Sequence, residues 1–165
     1  MKKILLWVRI CRPQTLFASL VPVLIALYIV SRVTLTTPLT AFATIICALS
    51  LQILSNLIND YYDFVRGTDK AGRAGFKRAL AEGEVSKTAM RNACFIAAGI
   101  ACLLGLYLVY IGTWVILAIG LSALLFAWLY TATNHSLSYL GIADIFVFLY
   151  YGVVASCGTA YLQFC

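Results

Sequence analysis

The stretch NLINDYYDFVRGTDK, Asn56 to Lys70, decides the reading of this chain. It follows an apolar run long enough to cross a bilayer. In these residues stand Asp60, Asp63 and Asp69, half of the six acidic residues in the chain, together with Asn56 and Asn59. On a helix, at about 100° per residue, Gln52, Asn56, Asn59, Asp60 and Asp63 share roughly a third of the circumference. The other side is mostly Leu, Ile and Tyr. Charge is costly in lipid, so a polar stripe on a membrane helix faces a bundle interior or a watery cavity. The stretch is therefore expected at the mouth of a cavity.

The rest of the sequence supports a membrane setting. Of the 165 residues, 63% are hydrophobic and 11% charged, with a mean hydropathy of +0.96. A soluble domain of this composition would expose large apolar patches. Length allows one membrane domain, 1–165, with room for about five spans of roughly 20 residues. The net charge of +6 is distributed against nucleic-acid binding. All Lys and Arg except Arg32 fall in two blocks, Lys2–Arg12 and Arg66–Arg91, and both flank apolar runs. That is the positive-inside pattern and places both blocks in the cytoplasm. The six cysteines form no CxxC pair and read as small helix residues. The basic start leads into a span-length run with no A-x-A site, so the first helix is expected to stay in place.

Lys2–Arg12 reads as an amphipathic lead-in with Trp7 as an interfacial anchor. The expected spans are Thr15–Val33, Leu39–Ile58, Ala93–Tyr110, Trp114–Tyr130 and Ile142–Leu162, all helical because lipid cannot satisfy an open backbone. Ile111-Gly112-Thr113 joins spans three and four. The expected cytoplasmic loops are about 63–91 and 131–141, with the C-terminus outside.

Gly67 offers a stop for the helix that carries the stripe. Beyond it the chain could bend and return Asp69 toward Asp60 and Asp63. Three carboxylates around one cavity repel unless a cation sits between them, and all-oxygen ligands suit Mg²⁺ bound together with a substrate phosphate. Arg66, Lys70, Arg73, Lys77 and Arg78 follow at once. Carboxylates facing basic residues make a diphosphate site. Taken singly, Lys70, Arg73 and Lys87 fit a topology signal as well as a ligand-binding role.

At these residues the chain resembles the UbiA superfamily of intramembrane aromatic prenyltransferases. Asn59, Asp60, Asp63 and Asp69 match its first aspartate-rich motif. The blocks NDYYDFVRGTDKAGRAGFKRALAEGEVS and YTATNHSLSYLGIADIFVFLYYG are similar to its menaquinone-pathway branch, and the similarity covers essentially the whole chain. The resemblance implies transfer of a polyprenyl group from polyprenyl diphosphate to a dihydroxynaphthoate-like aromatic acceptor. It implies Mg²⁺ on Asp60, Asp63 and Asp69, with Asp60 and Asp63 catalytic. Asn56, Asn59, Lys77 and Arg78 would bind substrate. Tyr130 and Thr131 match the family's Tyr-Ser/Thr pair near the diphosphate, though Tyr130 also fits an interfacial aromatic. Asp144 would bind the aromatic substrate or cap its helix, and His135 reads as a loop residue.

The chain departs from the family at Gly75-Phe76-Lys77-Arg78, where Gly-Pro is usual before the basic pair, and at Ala132-Thr133-Asn134-His135. Family enzymes have about nine spans and a second aspartate-rich motif, whereas this sequence holds about five spans and no such motif. The expectation is the N-terminal half of a nine-helix bundle, in a bacterial inner membrane. A second-half polypeptide or a second copy would cover span five at Gly152, Ala155, Ser156 and Thr159. Prenyl transfer to another aromatic acceptor and a non-catalytic remnant or subunit are the alternatives. A small ion transporter fits the basic cluster poorly, and the D-G-x-x-A-R opening of the alcohol phosphotransferases is missing.

Overall fold

The computed structural model describes residues 2–68, 78–131 and 143–165, with the side chains of 127–131 and 143–144 excepted. Among these residues all regular structure is helical. Helix α1 (Lys2–Cys11) lies ahead of α2 (Pro13–Ser31), and α3 (Pro38–Val65) and α4 (Lys87–Thr131) follow. The last helix comprises α5 (Ala143–Val147), a π-helical segment Phe148–Val154 and α6 (Ala155–Phe164). Four of these stretches are long and apolar enough to cross a membrane: Pro13–Ser31, Pro38–Val65, Lys87–Phe126 and Ile145–Phe164. The chain is an all-α, multi-pass membrane protein.

Prolines set where the helices begin. Pro13 and Pro38 occupy the first turns of α2 and α3, where a missing N–H is harmless. The residue before a proline is disfavoured in the right-handed helical region. Arg12 accordingly takes a left-handed conformation, with φ 53°, and turns the chain between α1 and α2. The Thr15 amide and hydroxyl both donate to the Arg12 carbonyl, each at 2.9 Å, and fix this corner.

α3 ends as the sequence implies. Gly67 has φ +71°, its N–H donates to the Phe64 carbonyl, and the Thr68 N–H donates to the Asp63 carbonyl. These are the paired bonds of a Schellman stop. The same pair recurs at Gly83, which is also left-handed, with bonds to Leu80 and Ala79.

α4 is two helical arms that meet at Thr113, whose φ 55° and ψ −151° are non-helical. Leu124 packs on the cluster that contains Ala97. Along one straight helix those residues would lie about 40 Å apart, so the arms fold back on each other. The described residues thus make five passes, with the reversal at the expected Ile111-Gly112-Thr113 link. α3 is the most buried span. One core cluster joins it to α1 and α4 near Asp60 through Ile10, Leu54, Leu57, Met90 and Ala97. A second, toward the other end, contains Ala43, Cys47, Leu108, Ile116 and Leu162. Small residues allow α3 and α4 to approach closely: the Cys47 thiol reaches the Ala101 carbonyl at 3.7 Å.

Two expectations need correction. The loop expected over about 63–91 is helical at both ends. α3 runs on to Val65, α4 begins at Lys87, and Ala79, Leu80 and Val85 are buried in the first cluster. These apolar residues recover burial that an exposed loop would lose. Trp7 of the lead-in packs against the same cluster. Thr159 is not on an open face of the last helix. It is buried, and its hydroxyl donates to the Ala155 carbonyl.

The reversal in α4 makes opposed mutations informative. A Cβ at Gly112 would lie 2.3 Å from Ile116 Cγ1 and 3.0 Å from Leu162 Cδ2. Gly112→Ala should therefore destabilise the protein, by about 1–3 kcal/mol. Thr113→Gly should stabilise it by about 1 kcal/mol, because a β-branched residue is strained at this φ and ψ. Gly99→Ala meets nothing within 4 Å and should be neutral or stabilising. Thermal unfolding in one detergent would rank all three.

Candidate functional site

The site is built on the last two turns of α3. Asp60 is buried, and both Arg12 and Arg78 donate to its Oδ1. Asp63, three residues on, lies 3.8 Å from the other terminal nitrogen of Arg78. The Arg78 guanidinium therefore spans the two carboxylates. All four side chains are at most 16% exposed, so water screens the group weakly and the pairing is strong in both directions. Arg12, Arg78, Asp60 and Asp63 together are formally neutral.

Each partner is delivered by local structure. Arg12 sits at the left-handed corner before Pro13. Burial of the next two residues, Ala79 and Leu80, pins Arg78 beside the end of α3. Arg9 pairs with Glu84 and ties α1 to the same segment, although an ion pair this exposed adds little stability.

Asn56 is one turn deeper. Its Nδ2 donates to the Cys11 carbonyl at 3.0 Å and to Thr15 Oγ1 at 2.8 Å. It thereby clamps α3 onto the corner that carries Arg12. Gln52 Nε2 donates to Asn56 Oδ1 at 3.4 Å. Gln52 Oε1 is buried and has no hydrogen-bond partner among the described residues.

This polar column lines a cavity of about 350 Å³ whose wall includes Arg12, Gln52, Asn56, Asn59, Phe126 and Tyr150. A second cavity, of about 340 Å³, continues between α3, both arms of α4 and the last helix. Its walls are mostly aliphatic, with Leu51, Leu108, Ile116, Leu121 and Leu162 among them. The two share Ala48, Leu51, Ala123, Tyr150 and Ala155. A polar cavity bordered by Arg12 thus adjoins an apolar trough.

The expected site residues divide accordingly. Asn56, Asp60, Asp63 and Arg78 come together, and Asn59 lines the same cavity. Asp69 and Lys77 lie outside the described residues, as do Lys70 and Arg73, while the side chains of Tyr130, Thr131 and Asp144 are outside the description. Among the described residues no group of three metal-binding side chains occurs. Asp60 and Asp63 nevertheless hold a cationic group between them, in Arg78, and present only oxygen donors, the chemistry a hard divalent cation requires. Arg12 was missed at the sequence level, where it reads as part of a topology signal. The available clue was its place directly before Pro13, which forces a corner beside the polar stripe.

Fold and site together define a multi-pass helical membrane protein with an ion-paired polar mouth over an apolar trough. The model of the UbiA prenyltransferase family matches residues 19–164. The chain belongs to that family. Among its relatives, 1,4-dihydroxy-2-naphthoate octaprenyltransferase of Escherichia coli is 33% identical over 163 residues, covering 95% of this chain and 53% of the relative. The Bacillus subtilis protein of the same name is 32% identical and is matched over 86% of this chain and 45% of the relative. The Mycobacterium leprae one is 29% identical, with 95% and 53% covered. The chain spans about half the length of these curated relatives. No solved structure matches it.

Asp60 is the keystone of the cluster. Asp60→Ala should destabilise the protein by about 3 kcal/mol, because two largely buried guanidiniums would be left facing each other. Replacing Asp60, Arg12 and Arg78 together by Leu, Met and Met should cost less than the single change. Unfolding in detergent would measure both.

Proposed function

We propose that this chain forms the diphosphate-binding part of an enzyme that transfers a polyprenyl group from polyprenyl diphosphate to 1,4-dihydroxy-2-naphthoate, in menaquinone biosynthesis. The observation that carries the reading is the Arg12–Asp60–Arg78–Asp63 cluster, whose Arg12 lines a cavity that shares its wall with an apolar trough. A polyprenyl diphosphate is shaped to match, with a multiply charged head on a long hydrocarbon tail. The names of the relatives supply the acceptor.

The charges of Arg12, Arg78, Asp60 and Asp63 sum to zero, and a diphosphate would bring further negative charge. Asp60, Asp63 and Asp69 would hold Mg²⁺, which neutralises the leaving diphosphate when bound. Arg12 and Arg78, released from the carboxylates, would donate to phosphate oxygens, with Lys77 beside them. As the allylic C–O bond breaks, its electron pair leaves with the diphosphate. The second cavity would house the tail and keep water from the allylic carbocation. Tyr130 and Thr131 would stand near that cation, and Asp144 near the aromatic ring. The ring carbon attacks the cation, and the ring then gives up its carboxylate as CO₂.

The relatives are bacterial proteins about twice the matched length, which supports a bacterial cytoplasmic membrane. A second-half polypeptide or a second copy would complete the reaction chamber.

Binding is the direct test. Geranyl diphosphate should bind the chain in nanodiscs only with Mg²⁺, and Asp60→Asn and Arg78→Ala should each weaken it by at least about tenfold. Membranes carrying the completed chamber should prenylate 1,4-dihydroxy-2-naphthoate, and the Asp60→Asn change should abolish the product. Diphosphate binding indifferent to Asp60 would overturn the reading.

A further inference from the structure

The hydrogen bonds deeper in the site fix one atom that nothing so far uses. The Cys11 carbonyl can only accept, so the Asn56 amide must turn its Nδ2 toward it. Thr15 gives its own proton to the Arg12 carbonyl and therefore accepts from the same Nδ2. Asn56 Oδ1 is then left facing Gln52, which must answer with Nε2. This chain of constraints sets the Gln52 amide the only way round that satisfies its neighbour. Oε1 remains as an acceptor, in a side chain 7% exposed, with no partner among the described residues. A buried acceptor left unmade is costly.

The surroundings of Gln52 are aromatic. The Phe126 ring lies 4.7 Å from that of Phe146 and 4.8 Å from that of Tyr150, and all three line the cavity Gln52 lines. Tyr150 belongs to the π-helical segment, a local widening that is frequent at functional sites. Gln52 and the three rings thus line one pocket between the polar mouth and the aliphatic trough, and the unsatisfied acceptor belongs to a residue of its wall.

We propose that Gln52 reads a ring hydroxyl of the aromatic co-substrate, with Oε1 accepting the hydrogen bond while the ring lies against Phe126 and Tyr150. The assignment rests on the diphosphate reading above and deepens it. Of the two substrates only one can satisfy Gln52: a polyprenyl chain has no hydrogen-bond donor, and an ionised diphosphate only accepts. A hydroxylated ring donates. The same bond would exclude rings that lack a hydroxyl there, since those would leave Oε1 buried and unpaired.

The test compares 1,4-dihydroxynaphthalene with 1,4-dimethoxynaphthalene, which has the same ring system and no donor. Both are titrated into the chain in nanodiscs, with and without Mg²⁺ and geranyl diphosphate. The diol should bind at least about tenfold more tightly than the ether. Gln52→Met, close in length and shape, should erase that preference while geranyl diphosphate binding stays within about twofold. Gln52→Leu should behave alike. An undiminished preference for the diol in both variants, or equal binding of diol and ether to the unmodified protein, would overturn the assignment, the latter leaving Oε1 to an ordered water. Failure of geranyl diphosphate to bind the unmodified protein would strike the diphosphate reading instead. The diol–ether comparison without it would still decide the role of Gln52.

Discussion

The structure depends on one carboxylate shared by two guanidiniums. Asp60 is buried at the end of the central helix, and a lone charge there would be expensive. Arg12 and Arg78 remove that cost from opposite directions in sequence, 48 residues before and 18 residues after. Their pairing fixes where α1 meets α2 and where the segment after α3 returns. The polar mouth is therefore as much a fold constraint as a binding site. Arg12 adds a sign of this double role. Its left-handed backbone is a conformation that L-residues other than glycine adopt at a cost, and such strain gathers at functional sites.

From that anchor the polarity falls along α3 in steps. Charged Asp63 and Asp60 give way to the carboxamides of Asn56 and Gln52, and then to an aliphatic wall. Each step is satisfied differently: guanidiniums pair the carboxylates, a backbone carbonyl and a hydroxyl hold Asn56, and Gln52 Oε1 has no partner among the described residues. The gradient runs in the order the proposed substrate pair would need, from anionic head through hydroxylated ring to hydrocarbon tail. The reversal of α4 matters here because both of its arms, brought side by side at Thr113, wall the apolar end.

Much of this was legible in the order of residues. The five passes follow from apolar run lengths, since a bilayer of fixed thickness accepts only a narrow range of helix lengths. The stripe from Gln52 to Asp63 follows from helical periodicity, and the stop at Gly67 from glycine's freedom at positive φ. The segment before α4 was less legible. Its charges suggested a solvated loop, whereas Ala79, Leu80 and Val85 are buried. Short apolar runs among charges carry no periodicity that distinguishes a docked turn from an exposed one.

The sequence alone determined that this is a membrane helix bundle with a polar stripe along one helix, because those features depend on local period, composition and the solvent on either side. It could not pair Arg12 with Asp60, or turn the Gln52 amide so that Oε1 is left buried without a partner among the described residues. Both depend on which side chains meet across helices far apart in sequence, and on the directionality of hydrogen bonds that close only once α1, α2 and α3 have packed.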